Sequence, residues 1–442
     1  MAKSKSYWIK SGFFTLMERF SMQIFALLSV MILFRALTKA EVGQWAAFLS
    51  IVTIVEVGRT GLLQNALVKF LSTANEERYK MLATSSFFLN LIITLFLVVP
   101  LFFGAGMISE IVRVPELKLL LQLHCLTTIA LVPFLQFNFM QQASLEFRGI
   151  FWATFTRQGI YFLYVALFFL MSYKIELADL VIVRTVGVFL GAIVSYFFAR
   201  PFLRFSKQVN WKTVWQLFHY GKYVMGTNLS TMFYKGTDRL MIARMLGEIP
   251  VGIYDAAIKV TNLAEAPTFS MASILFPQSA RRIEEGKGAI KLLYEKAVGA
   301  ILAILVPAIV FVLLFAEWII WIIAGDDFLE ASNILRLTMF YGIFIPFAVQ
   351  FGTVLDSTGR PKVNFFFTVA SALLNILFNY FFIRQFGIIG AAYGTLTTYF
   401  LAFIGMQMYL HRIFGVSFWK AFRYAIEFYG RIWKLLGQKI KL

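Results

Sequence analysis

MILFRALTKAEVGQWAA, from Met31 to Ala47, returns half a chain later as MIARMLGEIPVGIYDAA, from Met241 to Ala257. A displacement of 209 residues puts Arg35 on Arg244, Leu37 on Leu246, Val42 on Val251, Gly43 on Gly252, Trp45 on Tyr254 and Ala47 on Ala256, with the leading methionines offset by one. Both copies therefore read Arg-x-Leu-x4-Val-Gly-x-aromatic-x-Ala. The same displacement superimposes Glu56 on Glu265, and a weaker echo at 213 sets Pro133-Phe134 on Pro346-Phe347. In a chain of 442 residues this is the mark of two similar halves.

Around the repeat the sequence is too apolar for water. Apolar residues make up 60% and charged residues 14%, against about 45–50% and about 25% in soluble domains. Apolar windows bounded by charged or turn-rich stretches fall near 11–34, 42–63, 81–103, 117–139, 151–173, 177–199, 217–245, 252–276, 297–323, 332–355, 363–383 and 387–410. Runs of about 20 residues in lipid must satisfy their own backbone hydrogen bonds, so each reads as a helix and not as an alternating barrel strand. The expected fold class is an all-α polytopic membrane protein with twelve transmembrane helices in two six-helix lobes, 1–205 and 206–411, followed by a basic tail, 412–442. Six is an even number, so both repeats enter the membrane from one side. Parallel repeats of this kind suit a transporter, because two similar bundles rocking about a central site expose it to each face in turn.

Lys and Arg outnumber Asp and Glu by 41 to 23. Nucleic-acid binding is the reading of such an excess in a soluble chain; in a membrane protein it marks cytoplasmic loops. The cations concentrate in the N-terminal residues, the even-numbered connections and the tail, including Arg200, Arg204, Lys207 and Lys212 in one loop and Arg281, Arg282, Lys287, Lys291 and Lys296 in another. Both termini are thus expected in the cytoplasm. The first apolar run, from Gly12 to Phe34, is too long for a signal peptide and has no small-residue cleavage site. One cysteine, Cys125, and three histidines, His124, His219 and His411, allow no internal disulfide and no cysteine-rich metal site. In the tail, Lys420, Arg423, Glu427, Arg431, Lys434, Gln438 and Lys441 alternate with Phe422, Ile426, Tyr429, Trp433, Leu436 and Ile440 at helical spacing. That pattern predicts an amphipathic helix lying on the cytoplasmic leaflet.

Charges inside the windows are costly, at about 2.5–3.5 kcal/mol for a central Arg, Lys or Asp, so each should face a cavity or a partner. They are Glu18, Arg19, Glu56, Arg59, Arg157, Arg184, Lys222, Lys235, Asp238, Arg239, Asp255, Lys259, Glu265 and Arg336. Glu56 with Arg59, and Asp255 with Lys259, share a helix face and could neutralise one another. Lys222 and Arg336 lie near span ends, where long side chains snorkel. The remaining excess is cationic, and guanidinium groups bind phosphate oxygens bidentately. Arg19, Arg59, Arg157, Arg184, Lys235, Arg239 and Lys259 are accordingly the candidate binding residues for an anionic, phosphorylated substrate. Tyr161, Tyr164, Tyr234, Tyr254 and Tyr341 could stack on sugar rings, and Pro100, Pro133, Pro267, Pro307 and Pro346 should bend their helices.

The repeat, together with TDRLMIARMLGEIPVGIYDAAIKV (Thr237 to Val260), LDSTGRPKVN (Leu355 to Asn364) and FRALTKAEVGQWA (Phe34 to Ala46), resembles the polysaccharide transporter family that contains Wzx-type O-antigen and lipid-linked oligosaccharide flippases. The resemblance implies the fold of the multidrug and oligosaccharidyl-lipid exporters, two six-helix lobes in a V. It also implies that a polyprenyl-pyrophosphate-linked oligosaccharide, such as an O-antigen or other surface-polysaccharide repeat unit, crosses the bacterial inner membrane through an electropositive cavity. The implied partners are that lipid-linked glycan, the bilayer and other polysaccharide assembly proteins, with no nucleic acid. No cofactor or metal is expected. An H+ or Na+ gradient is a candidate driving force, with Glu56, Asp238, Asp255 and Glu265 as the acidic candidates for coupling. Three rivals stand beside this reading. An ion-coupled drug or metabolite exporter would favour an acidic pocket for cationic drugs, and lipid II flippases have two further spans. A membrane-embedded glycan polymerase or ligase would be an enzyme, but such enzymes commonly need a large extramembrane loop, and no nucleotide or metal motif is found.

Overall fold

The structure is a computed structural model. It describes the backbone of residues 2–71, 74–144, 146–283 and 285–439, and side chains from Met17 onward except 19, 20, 65, 69, 223, 224, 227, 234, 235, 273, 274, 277, 280, 281 and 430–439. Among the described residues every regular element is a helix: α1 Ala2–Ala36, α2 Lys39–Leu71, α3 Glu76–Val112, α4 Leu117–Ala143, α5 Phe147–Leu170, α6 Leu177–Ala199, α7 Trp211–Leu246, α8 Glu248–Leu263, α9 Ala266–Arg282, α10 Lys287–Ala324, α11 Ala331–Tyr341, α12 Ile345–Ser357, α13 Pro361–Phe386, α14 Ile388–Phe414 and α15 Phe418–Lys439.

Each predicted window falls on one of these helices or on a broken pair, 252–276 on α8 and α9 and 332–355 on α11 and α12. Among the described residues eight helices are long and apolar enough to cross a membrane, or nine when α11 and α12, bent by 42°, count as one span. The windows 11–34, 217–245 and 252–276 fall short by that measure. Of α1 the described side chains run unbroken only over Ser21–Ala36, which is apolar, α7 carries Lys222, Asp238 and Arg239, and the third window is cut where α8 gives way to α9. Both breaks have a proline in the first turn of the second helix, Pro267 and Pro346, where its missing N–H is not needed. Pro100, Pro133 and Pro307 instead lie inside continuous helices. Apolar side chains face outward in numbers no soluble chain would tolerate; on α3, Phe96 is 77% and Phe103 80% exposed. The protein is a multi-pass membrane protein whose exposed rings face lipid.

Contacts divide the chain into two compact units, Met1–Gly252 and Ile253–Leu442. In the first, α2 packs along α7 and against α4, α4 and α5 both pack on α6, and α1 lies on α5. Leu62, Leu63, Ala66 and Leu67 of α2, Leu82 of α3, Met140 of α4 and Leu217 of α7 form one buried cluster. The start of α2 is fixed by a capping box in which Thr38 N donates to Glu41 Oε2 at 2.9 Å and Glu41 N donates to Thr38 Oγ1 at 3.3 Å.

In the second unit the core is built by α9, α10, α12, α14 and the start of α15, with Tyr294, Phe347, Phe351 and Leu410 fully buried. The predicted tail helix forms, and its first half is seated on α10. Ser417 N donates to the buried Glu295 carboxylate at 2.8 Å, and Ala421 and Ala425 press on Gly299, where a Cβ would stand 2.8 Å from Ala421 O. The face expected to be the apolar one is split. Phe422 packs on the core beside Phe347 and Tyr429 donates to Ala303 O, while Ile426, 73% exposed, points away. Residues Arg431, Trp433, Lys434, Leu436, Gln438, Ile440 and Lys441 of that pattern lie outside the described side chains.

Candidate functional site

The first unit gathers most of the charges that the sequence placed at membrane depth. α2 supplies Glu56 and, one turn later, Arg59; α4 supplies His124, α5 Arg157 and α6 Arg184. These residues come from separate helices because the helices approach closely. Gly187 and Gly191 on α6 are four apart, and a Cβ at either would stand 2.7 Å from Arg157 O or 2.8 Å from Ala153 O on α5. Small residues at this spacing let membrane helices meet backbone to backbone, and here they bring Arg157 to the same region as Arg184. Thr127 and Thr185 share a hydrogen bond of 2.6 Å that ties α4 to α6, and Thr154 donates to Glu18 at 3.5 Å, tying α5 to α1.

Glu56 and Arg59 do not form the pair expected of them. The Glu56 carboxylate lies 3.6 Å from His124 Nε2 and 3.9 Å from Arg184 Nη2. Arg59, only 3% exposed, turns inward and donates from Nη1 to Thr128 O at 2.8 Å and to Thr94 Oγ1 at 3.2 Å. A guanidinium of five donors is not satisfied by two bonds, and its Nη2 makes no hydrogen bond among the described residues; nor do Glu56 Oε1 and His124 Nε2. Arg157 stacks its guanidinium over Phe134 at 5.4 Å. Of these guanidiniums, that of Arg184 stands within ion-pair distance of the Glu56 carboxylate. Arg59 and His124 are buried, while Arg184 and Glu56 remain 20% and 24% exposed in their side chains. Chemically the cluster sets three guanidiniums against one carboxylate, a net cationic group that favours an anion with several oxygens.

The remaining candidates go elsewhere. Lys259 meets Asp255 at 3.9 Å within α8 of the second unit, as helical spacing predicted. Asp238, Asp255 and Glu265 are buried and Arg239 half-buried, and all four have partners. Arg336 bonds Glu317 at 2.9 Å. The side chains of Arg19 and Lys235 lie outside the described residues. Most of the tyrosines proposed to stack on sugars are already engaged: Tyr254 is fully buried, Tyr341 stacks on Tyr399, and Tyr164 donates to Asp179. Among the described residues no group of His, Cys, Asp and Glu could hold a metal ion. His124 is the participant that sequence reading missed. A histidine in the middle of an apolar window is its signal, since a buried imidazole also needs a polar partner.

A family model described as "Polysaccharide biosynthesis protein" matches residues 32–333. The chain is 27% identical over 213 residues to the "Probable low-salt glycan biosynthesis flippase Agl15" of Haloferax volcanii, a match covering 48% of this chain and 45% of that one. Matched segments span about half the lengths of the curated relatives. Among solved structures, an inward-facing MATE-family multidrug resistance transporter of the MOP superfamily superposes with a TM-score of 0.75 at 14% identity, covering 88% of this chain and 95% of that one. The lipid II flippase MurJ gives 0.75 at 16% identity, covering 94% and 90%. Identities this low speak for a shared fold.

Proposed function

The chain belongs to the polysaccharide biosynthesis protein family matched over residues 32–333, and from that premise we propose that it is a flippase for a polyprenyl-diphosphate-linked oligosaccharide. The cargo crosses the plasma membrane, the inner membrane of a bacterium, by alternating access between lobes 1–205 and 206–411. The observation that carries this reading is the surplus of guanidinium on neighbouring helices of the first unit, where Arg59, Arg157 and Arg184 outnumber the single carboxylate of Glu56, which meets Arg184. A diphosphate brings the missing negative charge and an array of acceptor oxygens to donors that lack them. Glu56 and His124 keep the cluster from binding its anion too tightly, since a site that releases cargo on the far side cannot be fully complementary to it. Glu56 is the carboxylate through which an H+ or Na+ gradient acts, because neutralising it changes the charge facing the cargo. The sign of the cluster disfavours a cationic drug as cargo.

The test is reconstitution into liposomes with a polyprenyl diphosphate disaccharide carrying a fluorophore on its sugar, read by an impermeant quencher. Transfer several-fold above protein-free liposomes, absent for the same lipid without its diphosphate, is the expected result. Equal transfer with and without protein removes the proposal.

A further inference from the structure

The repeat that opened the sequence meets itself in space. A Cβ on Gly43 of α2 would overlap the carbonyl oxygen of Glu248, and a Cβ on Gly252 of α8 would overlap the carbonyl oxygen of Lys39. Under the displacement of 209, Gly43 becomes Gly252 and Lys39 becomes Glu248. Each glycine therefore rests on the counterpart of the residue on which its own counterpart rests. Contacts that exchange in this way arise where a two-fold axis passes through an interface, so a local pseudo-two-fold axis runs between Gly43 and Gly252.

Two glycines are required here because only two bare backbones fit at that axis; each built Cβ would also stand 3.1–3.2 Å from the other glycine's amide nitrogen. Of the other repeated positions, Leu37, Val42, Trp45 and Ala47 are buried at 0–7% exposure and Val251, Tyr254 and Ala256 at 0%, while Arg35, Arg244 and Leu246, the last at 38%, are exposed. One hydrogen bond breaks the symmetry, from Gln44 Nε2 to Glu248 Oε2 at 2.8 Å. Two glycines of α2 that meet α7 have no such property. Gly58 meets Leu229 and Gly61 meets Asn228, but 209 residues beyond them stand Pro267 and Ser270. Those contacts form a seam to one side of the axis.

We infer that Gly43 and Gly252 form a gate: a backbone-to-backbone closure on the pseudo-two-fold axis, at the end of the bundle where α2 and α8 begin, that separates each time cargo leaves by that end. In a transporter of parallel repeats the path of the cargo follows the axis relating them. A contact on the axis blocks that path, whereas a contact beside it need not move. The inference rests on the transport reading only for what passes the gate. Its opening can be followed without cargo.

The test uses the full chain with Cys125→Ser, which removes the sole native thiol. Gln44 is 8% exposed, so in a Gln44→Cys variant an impermeant maleimide reacts slowly while the gate is closed. Adding Gly43→Val should raise the labelling rate at least tenfold, and Gly43→Ala, a milder wedge that also meets the Glu248 carbonyl, should raise it less. In Gln44→Cys/Glu248→Cys, a disulfide should form, reduce transfer of the fluorescent diphosphate lipid to the protein-free level, and release it again on reduction. Unchanged labelling in folded Gly43→Ala, failure of the disulfide to form, or undiminished transfer by the cross-linked protein each overturns the gate. If the uncross-linked protein moves no diphosphate lipid, the cargo reading fails instead, and the labelling rates still decide the gate.

Discussion

Arg59→Met separates a cation kept for the fold from one kept for a ligand. The substitution removes two hydrogen bonds to a charged donor, at 2.8 and 3.2 Å, each contributing about 1.5–3 kcal/mol. It also relieves the burial of a guanidinium that is 3% exposed, which costs several kcal/mol in a dry interior, and it places about 1.5–3 kcal/mol worth of apolar side chain there. The opposing effects nearly cancel, so stability should change by no more than about 2 kcal/mol, a melting shift under about 5 °C. Cys125 supplies the assay, since it is a buried free thiol that a fluorogenic maleimide reaches only on unfolding. Transfer of the diphosphate lipid should fall at least tenfold in the same protein, and Arg59→Lys, which keeps the charge but loses the planar fork, should fall between. A melting drop beyond about 10 °C would show that Arg59 is a structural strut. Wild-type transfer by a stable Arg59→Met protein would refute the cluster as the anion's seat.

Two further outcomes follow from the packing and the ionisation. Gly187→Val forces a side chain onto the Arg157 carbonyl and should destabilise the first unit by about 1–3 kcal/mol, whereas Gly104→Ala, with nothing within 4 Å of its Cβ, should be neutral or stabilise by up to about 1 kcal/mol; the thiol-exposure melt distinguishes them. Burial, with the Glu116 carboxylate adding to it and the Gln44 amide opposing it, pushes the Glu248 carboxyl above its ordinary 4.5. A carboxyl whose folded value is raised is favoured with its proton on, so its cost is absent below pH 4.5, grows as pH rises to the raised value, and is complete at pH 7. Glu248→Gln keeps an acceptor for Gln44 without the charge; it should raise the melting temperature at pH 7 and leave it unchanged at pH 4, and equal effects at both would count against the ionisation.

The helices could be read from sequence because their cause is local: an apolar run of sufficient length in lipid has no alternative to a helix. The two breaks were partly legible, since Pro267 and Pro346 announced bends, yet Pro100, Pro133 and Pro307 carried the same signal in helices that run on. Proline permits a break, and what decides is whether the chain beyond it has a better place to pack. The charged residues of the cluster were legible, but not their pairing. Spacing put Glu56 beside Arg59 on one face, but a helix face says nothing of what the neighbouring helices present, and His124 and Arg184 reach Glu56 while Thr94 and Thr128 take Arg59. The repeat is the opposite case. Its residues were found only as a pattern, and the contact explains why the pattern survives where the rest of the two halves has diverged. Elsewhere a substitution in one half can be accommodated by its own neighbours, but at a pseudo-two-fold axis each half is the other's neighbour. A Cβ added to either glycine would meet the backbone of the other copy, and no change in a side chain can make room for it.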